Sequence, residues 1–239
     1  MQNIQQVREK QVGTALPTRR IEAFSDGVFA IAITILVLQL SVPNIDTNLP
    51  DAVITERLLA ALVAFWPGTL VSYILSFIII GVFWVAHHMV FHHIQRSDRG
   101  LLWWNMVFLM VVALIPFPTA LLGQYFEQRL AVILYAITVT VSGLLLQGLW
   151  RYAVHRRRLV DRDLDIHIVR EVSRKNMVVP IIYLIAIGMA FVNVPLSIGL
   201  LILGPAVFLL PSRVSGRIRP PRGSDKPSEP NHVGNSIVQ

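Results

Sequence analysis

The hydrophobic pattern of the chain consists of long apolar runs separated by short polar or charged connections. The runs cover residues 21–40, 69–91, 101–122, 130–150 and 176–194, with a short sixth run that ends near residue 210. Because a helix rises about 1.5 Å per residue, the first run extends roughly 30 Å, the thickness of a hydrocarbon core. The pattern predicts an all-α polytopic membrane protein with six transmembrane helices per subunit.

The segments outside these runs divide the chain into three parts. Residues 1–18 are polar and predict a cytoplasmic N-terminal segment, and residues 19–211 form the six-span domain. Residues 212–239 are rich in Pro, Ser, Gly and Arg, a composition that cannot bury a core and that predicts a disordered cytoplasmic tail. Within the domain we expect a loop over 41–57, a partly helical connector over 151–175, and a kink at Pro116 and Pro118.

Composition and charge support a membrane protein and not a soluble enzyme. The 239 residues are 54% hydrophobic and 15% charged, and the chain has no cysteine, which excludes disulfides and thiolate metal sites. The net charge is +7, and 19 of the 21 Lys and Arg residues lie in 1–20, 92–100, 151–175 and 211–239. By the positive-inside rule, both termini are then cytoplasmic. Topology thus accounts for the basic character, and no nucleic-acid partner is expected.

The first run differs from the others because it carries a carboxylate well inside its apolar stretch, at Asp26. An ionised Asp at membrane depth costs about 2.5–3.5 kcal/mol even on lenient insertion scales, so it needs protein or water around it. A helical turn of about 100° per residue places Ser25, Asp26, Phe29 and Ile33 on one side. The opposite stripe is apolar and is free to face lipid, another subunit or a pore. It consists of Gly27, Ile31, Thr34, Ile35 and Leu38.

The first run, Arg20-x-x-x-Phe24-Ser25-Asp26 followed by Gly27-Val28-Phe29-Ala30, closely resembles the signature of the transmembrane protein 175 family. The likeness extends to the second and third spans. In the second span it covers Tyr73-Ile74-Leu75-Ser76-Phe77 and Trp84-Val85-Ala86-His87-His88. In the third span it covers Leu101-Leu102-Trp103-Trp104-Asn105 and the Pro116-Phe117-Pro118 segment. Bacterial members of that family are tetrameric potassium channels, and their animal relatives act in endosomes and lysosomes. The second half matches only in its pattern of spans.

This resemblance implies a homotetrameric, potassium-permeable channel of a bacterial plasma membrane, passive and without a cofactor. It also implies a central pore that is lined by the first helix of each subunit and that has no usual potassium filter; this chain likewise lacks a Thr-Val-Gly-Tyr-Gly loop. Ile31, Ile35 and Leu38 match the apolar constriction, and Thr34 matches a pore-facing hydroxyl. Four copies of Ile31 around an axis would form a narrow apolar ring that resists wetting and can act as a gate. Periodicity alone also fits a stripe that faces lipid.

A second set of residues is expected to hold the first helix in place. Asp26 needs donors, and we expect them among the polar residues of the second and third spans. A structural network is favoured over a direct ion site because the carboxylate lies away from the apolar stripe. The set consists of Arg20, Phe24, Ser25, Asp26, Trp84, His87, His88 and Asn105.

The histidines and Asp26 leave two other functions open. His88 and His92 are four residues apart and share a helix face with metal-ligand spacing, but the carboxylate of an HExxH-type site is missing, so no metal is expected. An intramembrane enzyme would use this cluster. A proton-coupled secondary transporter would use Asp26, although the chain shows no inverted repeat.

Overall fold

The computed structural model describes residues 18–155, 159–161 and 163–209, which form an all-α bundle. Its helices are α1 (Thr18–Val37), α2 (Asp51–Phe65), α3 (Val71–His92), α4 (Arg99–Leu114), α5 (Pro116–Gln124), α6 (Arg129–Val154), α7 (Ile166–Ala190) and α8 (Val194–Leu209). A π-helical turn, Trp66–Leu70, joins α2 to α3. In these residues the only extended pairing is an isolated bridge between Ile94 and Val160. The prediction of an all-α fold is confirmed.

The predicted count of six transmembrane helices is wrong by the criteria of length and apolarity. In the described part of the chain, four helical stretches satisfy both: Gly68–His92, Arg99–Gln124, Arg129–Val154 and Ile166–Ala190. The helix α1 is long enough, but Arg19, Arg20, Glu22 and Asp26 make its first half too polar. The last helix is strongly apolar but spans only Val194–Phe208 in the described residues.

Three helix boundaries follow from local chemistry. The carboxylate of Asp98 accepts a hydrogen bond from the Leu101 amide at 2.8 Å and caps α4, and Asp165 caps α7 through the His167 amide at 2.9 Å. Pro116 separates α4 from α5, as the sequence predicts, because proline removes a backbone donor.

Other boundaries differ from the sequence prediction. The segment 41–57 is a loop only as far as Pro50, because Asp51 opens α2 with a carboxylate near the positive end of the helix dipole. The helix α7 begins at Ile166, ten residues earlier than the apolar run, and its first turns carry the charges that were assigned to a connector. The expected N-terminal segment and C-terminal tail lie outside the described residues, except that Thr18 opens α1.

The core forms where α1 packs on α3 and α4, and where α6 packs on α4 and α7. Large side chains such as Phe29, Phe108, Tyr135 and Trp150 are fully buried there. The helix α8 packs on α7. In contrast, α2 contacts mainly the π-helical turn and exposes most of its residues, including leucines.

Candidate functional site

The helix α1 has one face buried in the bundle and an apolar face that is exposed. The buried residues follow helical spacing and are Ile21, Ser25, Phe29, Ala32 and Leu36. On the other side, Ile31 is 60% exposed, Ile35 is 42% exposed and Leu38 is 78% exposed. The apolar stripe predicted from the sequence is therefore not used by the subunit's own core.

Thr34 lies on the same exposed face. Its hydroxyl donates a hydrogen bond to the Ile31 carbonyl at 2.9 Å. Because the hydroxyl hydrogen is engaged by the helix, the oxygen lone pairs remain available outside it. This oxygen can accept a hydrogen bond or contact a cation.

Ser25 belongs to a buried network that ties α1 to α3 and α4. Its hydroxyl donates to the Ile21 carbonyl at 2.8 Å and accepts from the Asn105 side-chain amide at 3.0 Å. The Asn105 oxygen lies 2.9 Å from Nε2 of His87. Since an amide oxygen only accepts, Nε2 of His87 carries the hydrogen in this arrangement. All three side chains are at most 2% exposed.

Aromatic rings enclose the His87 imidazole on several sides. It stacks on Phe91 with ring centroids 4.4 Å apart and on Phe108 at 5.8 Å, and Phe29 meets its edge at 5.6 Å. A ring held this way by packing and by one strong acceptor has little freedom to turn. The arrangement fixes the rotation of α1 relative to α3.

Asp26 lies next to Ser25 in sequence but outside this network. It is exposed, and its carboxylate accepts a hydrogen bond from the Trp84 indole N–H at 2.9 Å. The His88 ring stacks on Trp84 with centroids 6.3 Å apart. The expected donors therefore divide: Trp84 reaches Asp26, whereas His87 and Asn105 serve Ser25.

Arg20 and Phe24 lie apart from both clusters. Arg20 is exposed near the start of α1. Phe24 is 52% exposed and lines an open cavity of about 410 Å³ with Arg99 and Trp103 of α4. The structure thus brings together six of the eight residues in the expected set, in two adjoining groups.

A further polar cluster, between α3, α5 and α6, was not predicted from the sequence. Thr119 donates to the Ser76 hydroxyl at 2.8 Å, and Ser76 donates to the Tyr135 hydroxyl at 3.1 Å. All three side chains are buried. The available signal was the presence of hydroxyl residues inside the apolar runs, since such residues have to find partners at membrane depth.

The remaining histidines lie at the end of α3 beside α7. His88, His92 and His93 line a cavity there, and burial together with the neighbouring His92 lowers the pKa of His93. In the part of the chain that the structure describes, no three His, Asp or Glu side chains are arranged to hold a metal ion.

Comparisons with known proteins place this geometry in context. A family model described as the endosomal/lysosomal potassium channel TMEM175 matches residues 20–116, the region that holds both polar groups around α1.

Relatives match over a longer range. A potassium channel of Chamaesiphon minutus is 40% identical over 185 residues, which cover 76% of this chain and 88% of that protein. A potassium channel of Streptomyces collinus is 39% identical over 183 residues, covering 75% and 85% of the two chains. The crystal structure of a lysosomal potassium-selective channel TMEM175 homolog from Chamaesiphon minutus has a TM-score of 0.68 at 36% identity, covering 80% of this chain and 95% of that one.

Proposed function

Because this chain belongs to the TMEM175 family of ion channels, we propose that it is a passive, potassium-permeable channel in which four copies surround one pore. The family consists of channels and not of enzymes, and the chain is a multi-pass membrane protein. The proposed pore is lined by α1 of each copy.

The observation that carries this proposal is the exposed apolar face of α1. A helix with four charged residues in its first half is a poor candidate to lie against lipid. The second half of α1 nevertheless exposes Ile31 and Ile35, and Leu38 is exposed directly after the helix. If four copies surround an axis that runs along this face, the apolar residues of the four α1 helices cover one another. The charged first half of each α1 then lies beside water.

In this arrangement the apolar residues form the gate. Rings of Ile31, Ile35 and Leu38 would narrow the axis to a constriction that excludes water when closed. Between them the Thr34 hydroxyl, which donates to the Ile31 carbonyl, presents its lone pairs to the axis. Four such oxygens would replace part of the hydration shell of a potassium ion as it passes.

The polar groups behind α1 position the helix and do not conduct. The buried bonds of Ser25, Asn105 and His87 fix its rotation, and Trp84 holds Asp26 from α3. The Asp26 carboxylate is thereby oriented toward a neighbouring helix. We further propose that α1 and α8 cross the membrane beside the four long stretches, because only then do the basic connections 92–100 and 151–175 lie on the same side as both termini. By the positive-inside rule that side is the cytoplasmic side of a bacterial plasma membrane.

Potassium flux from proteoliposomes tests the gate. The polar substitution Ile31→Asn should allow water into the constriction and so remove a dewetting barrier of about one or two kcal/mol. Potassium efflux should then rise about tenfold or more. The matched control is Ile137→Asn, which makes the same change at an exposed apolar position of α6. This control should conduct like the wild type.

Different results would contradict different parts of the proposal. A wild-type protein that carries no potassium at any voltage would count against a channel, and an Ile31→Asn variant that conducts less than wild type would count against the gate. Particle images of the purified complex test the copy number, and any symmetry other than four-fold around α1 would refute the proposed pore. Saturable proton-coupled uptake that is lost in Asp26→Asn would instead favour a transporter.

A further inference from the structure

A cavity of about 310 Å³ opens between the end of α3 and the first turns of α7, away from the exposed face of α1. Its polar lining consists of His88, His92 and His93 from one side and Glu171 and Lys175 from the other. Four of these five side chains can donate hydrogen bonds, and only Glu171 is acidic. The lining therefore suits a ligand that is rich in acceptors.

Lys175 and Glu171 form an ion pair at 3.3 Å, with both side chains about one-third exposed. This contact holds the lysine at the wall of the cavity and leaves two of its three ammonium hydrogens for other acceptors. His93 has a lowered pKa because of burial and the neighbouring His92, so at neutral pH it serves as a neutral N–H donor. The only carboxylate of the lining is paired with Lys175, and the described residues hold no metal-binding cluster, so the lining fits an anion better than a metal ion.

The position of the cavity identifies the source of the anion. The candidate span in α3 ends at His92, and the apolar run of α7 begins at about residue 176, after its charged first turns, so both helices leave the hydrocarbon core beside the cavity. Met89, Ile168 and Val172 supply its apolar wall. A ligand with a phosphate and an attached apolar body would place each part against matching surface. Basic pockets between transmembrane helices commonly bind lipid headgroups in this way.

Asn176 provides an independent sign of an unfilled polar site. It is 5% exposed, and neither atom of its side-chain amide has a hydrogen-bond partner among the described residues. It lies one turn deeper than Val172, on the same face of α7. Because helical side chains lean toward the N-terminus of their helix, its amide leans toward Val172 in the cavity wall, although Asn176 does not itself line the cavity. A buried amide without partners is destabilising unless a ligand or water satisfies it.

We propose that this cavity binds the phosphate group of an anionic phospholipid, with Lys175 and His92 as its main donors. The phosphate lies between α3 and α7, and the acyl chains follow the apolar wall into the bilayer. The site does not depend on the pore. It does adjoin the α1 contacts, because His88 also stacks on the indole that holds Asp26.

The test uses the purified full chain in nonionic detergent and native mass spectrometry. Dioleoyl phosphatidylglycerol is the anionic probe, and dioleoyl phosphatidylcholine is the probe without net charge. Phosphatidylglycerol should be retained preferentially, and Lys175→Gln should reduce its retention about fivefold, the effect of one basic residue near an anionic headgroup. The matched control is Arg174→Gln, which removes one charge from an exposed neighbour outside the cavity and should retain the lipid.

Lys175→Gln also removes the ion pair with Glu171, which could disturb the fold. A second variant, His92→Gln, leaves that ion pair in place and tests the same site. It should also reduce retention, with unchanged elution of the protein on gel filtration. Equal retention of both lipids, or equal losses in Arg174→Gln and Lys175→Gln, would overturn the site. An excess of inorganic phosphate tests whether the ligand is a free phosphate and not a lipid headgroup. If inorganic phosphate binds in the absence of lipid, and phosphatidylglycerol does not compete with it, the lipid assignment is overturned.

Discussion

The two halves of the described chain hold their helices together in different ways. In the first half, side chains bond to side chains on other helices, as between Asn105 and Ser25, or between Trp84 and Asp26. In the second half, Tyr183 donates to the Leu201 carbonyl at 2.8 Å, and Ser197 donates to the Ala186 carbonyl at 2.7 Å. Each half has an exception: Trp150 bonds to the Ser173 hydroxyl in the second half, and the Gln39 side chain donates to the Pro116 carbonyl in the first.

This difference explains where the sequence is recognisable. A bond between two side chains requires both residues, so a change in either one leaves a buried group without its partner. A bond to a backbone carbonyl requires only the donor, because every residue carries that acceptor. The family model matches 20–116, the half in which side chains specify each other.

The largest effect should come from breaking the buried network of the first half. Replacing Asn105 with leucine removes the acceptor of His87 and the donor to Ser25, both of which are buried. His87 is then left without an acceptor, and Ser25 keeps only its bond to the Ile21 carbonyl, so the free energy of unfolding should fall by about 2–4 kcal/mol. The measurement is the thermal midpoint of the purified protein in detergent.

Met106 provides the control for that substitution. It is the next residue on α4 and is 48% exposed, so Met106→Leu should leave the thermal midpoint within a degree or two of wild type. Equal losses in the two variants would show that helix packing, and not the network, holds α1 against α4.

A smaller effect is expected where the second half relies on close packing. A methyl group on Gly143 of α6 would collide with the ring of Pro180 on α7, so Gly143→Ala should force the helices apart. The expected loss is about 1–3 kcal/mol, again read as a lower thermal midpoint.

Gly188 of α7 offers the matched comparison. A Cβ there meets nothing within 4 Å. Gly188→Ala should be neutral or stabilise the helix by about 0.5–1 kcal/mol, because alanine loses less conformational freedom than glycine. If Gly143→Ala were as harmless as this control, close contact would not explain how α6 and α7 associate.

The smallest effect should come from the bond at the edge of the first half. Trp84→Phe removes the indole N–H that Asp26 accepts and keeps an aromatic ring beside His88. Since Asp26 is exposed, water replaces the lost donor, and the thermal midpoint should fall by only the equivalent of about 1 kcal/mol. Potassium flux is the sharper measurement, because a change in flux without a loss of stability would show that this bond sets the position of α1.

Most of the fold follows from patterns that are local in sequence. The apolar runs predicted the four long helical stretches, and Pro116 predicted the break between α4 and α5. The apolar run placed the start of α7 ten residues too late because the first turns are charged; Asp165 caps them, and Trp150 of α6 bonds to Ser173 there. The count of spans was wrong because α1 is long but too polar in its first half.

Less of the candidate site followed from the sequence. Trp84, His87, His88 and Asn105 were named as a group of donors to Asp26, but no pattern within one helix could divide them between Asp26 and Ser25. The cluster of Thr119, Ser76 and Tyr135 was missed because its members lie on three helices far apart in sequence. The cavity beside α7 was missed because Lys175 had been placed in a connector.

The sequence by itself determined the all-α membrane class and the two opposed faces of α1, because helical periodicity fixes the angles between residues of one helix. It predicted that the side with Ser25 and Asp26 packs against the bundle, but it could not separate these two neighbours. Only the tertiary structure decided that Ser25 is buried and that Asp26 beside it is exposed, because Asn105, His87 and Trp84 reach them from other helices. Those contacts fix the rotation of α1, and that rotation turns the apolar stripe away from its own core.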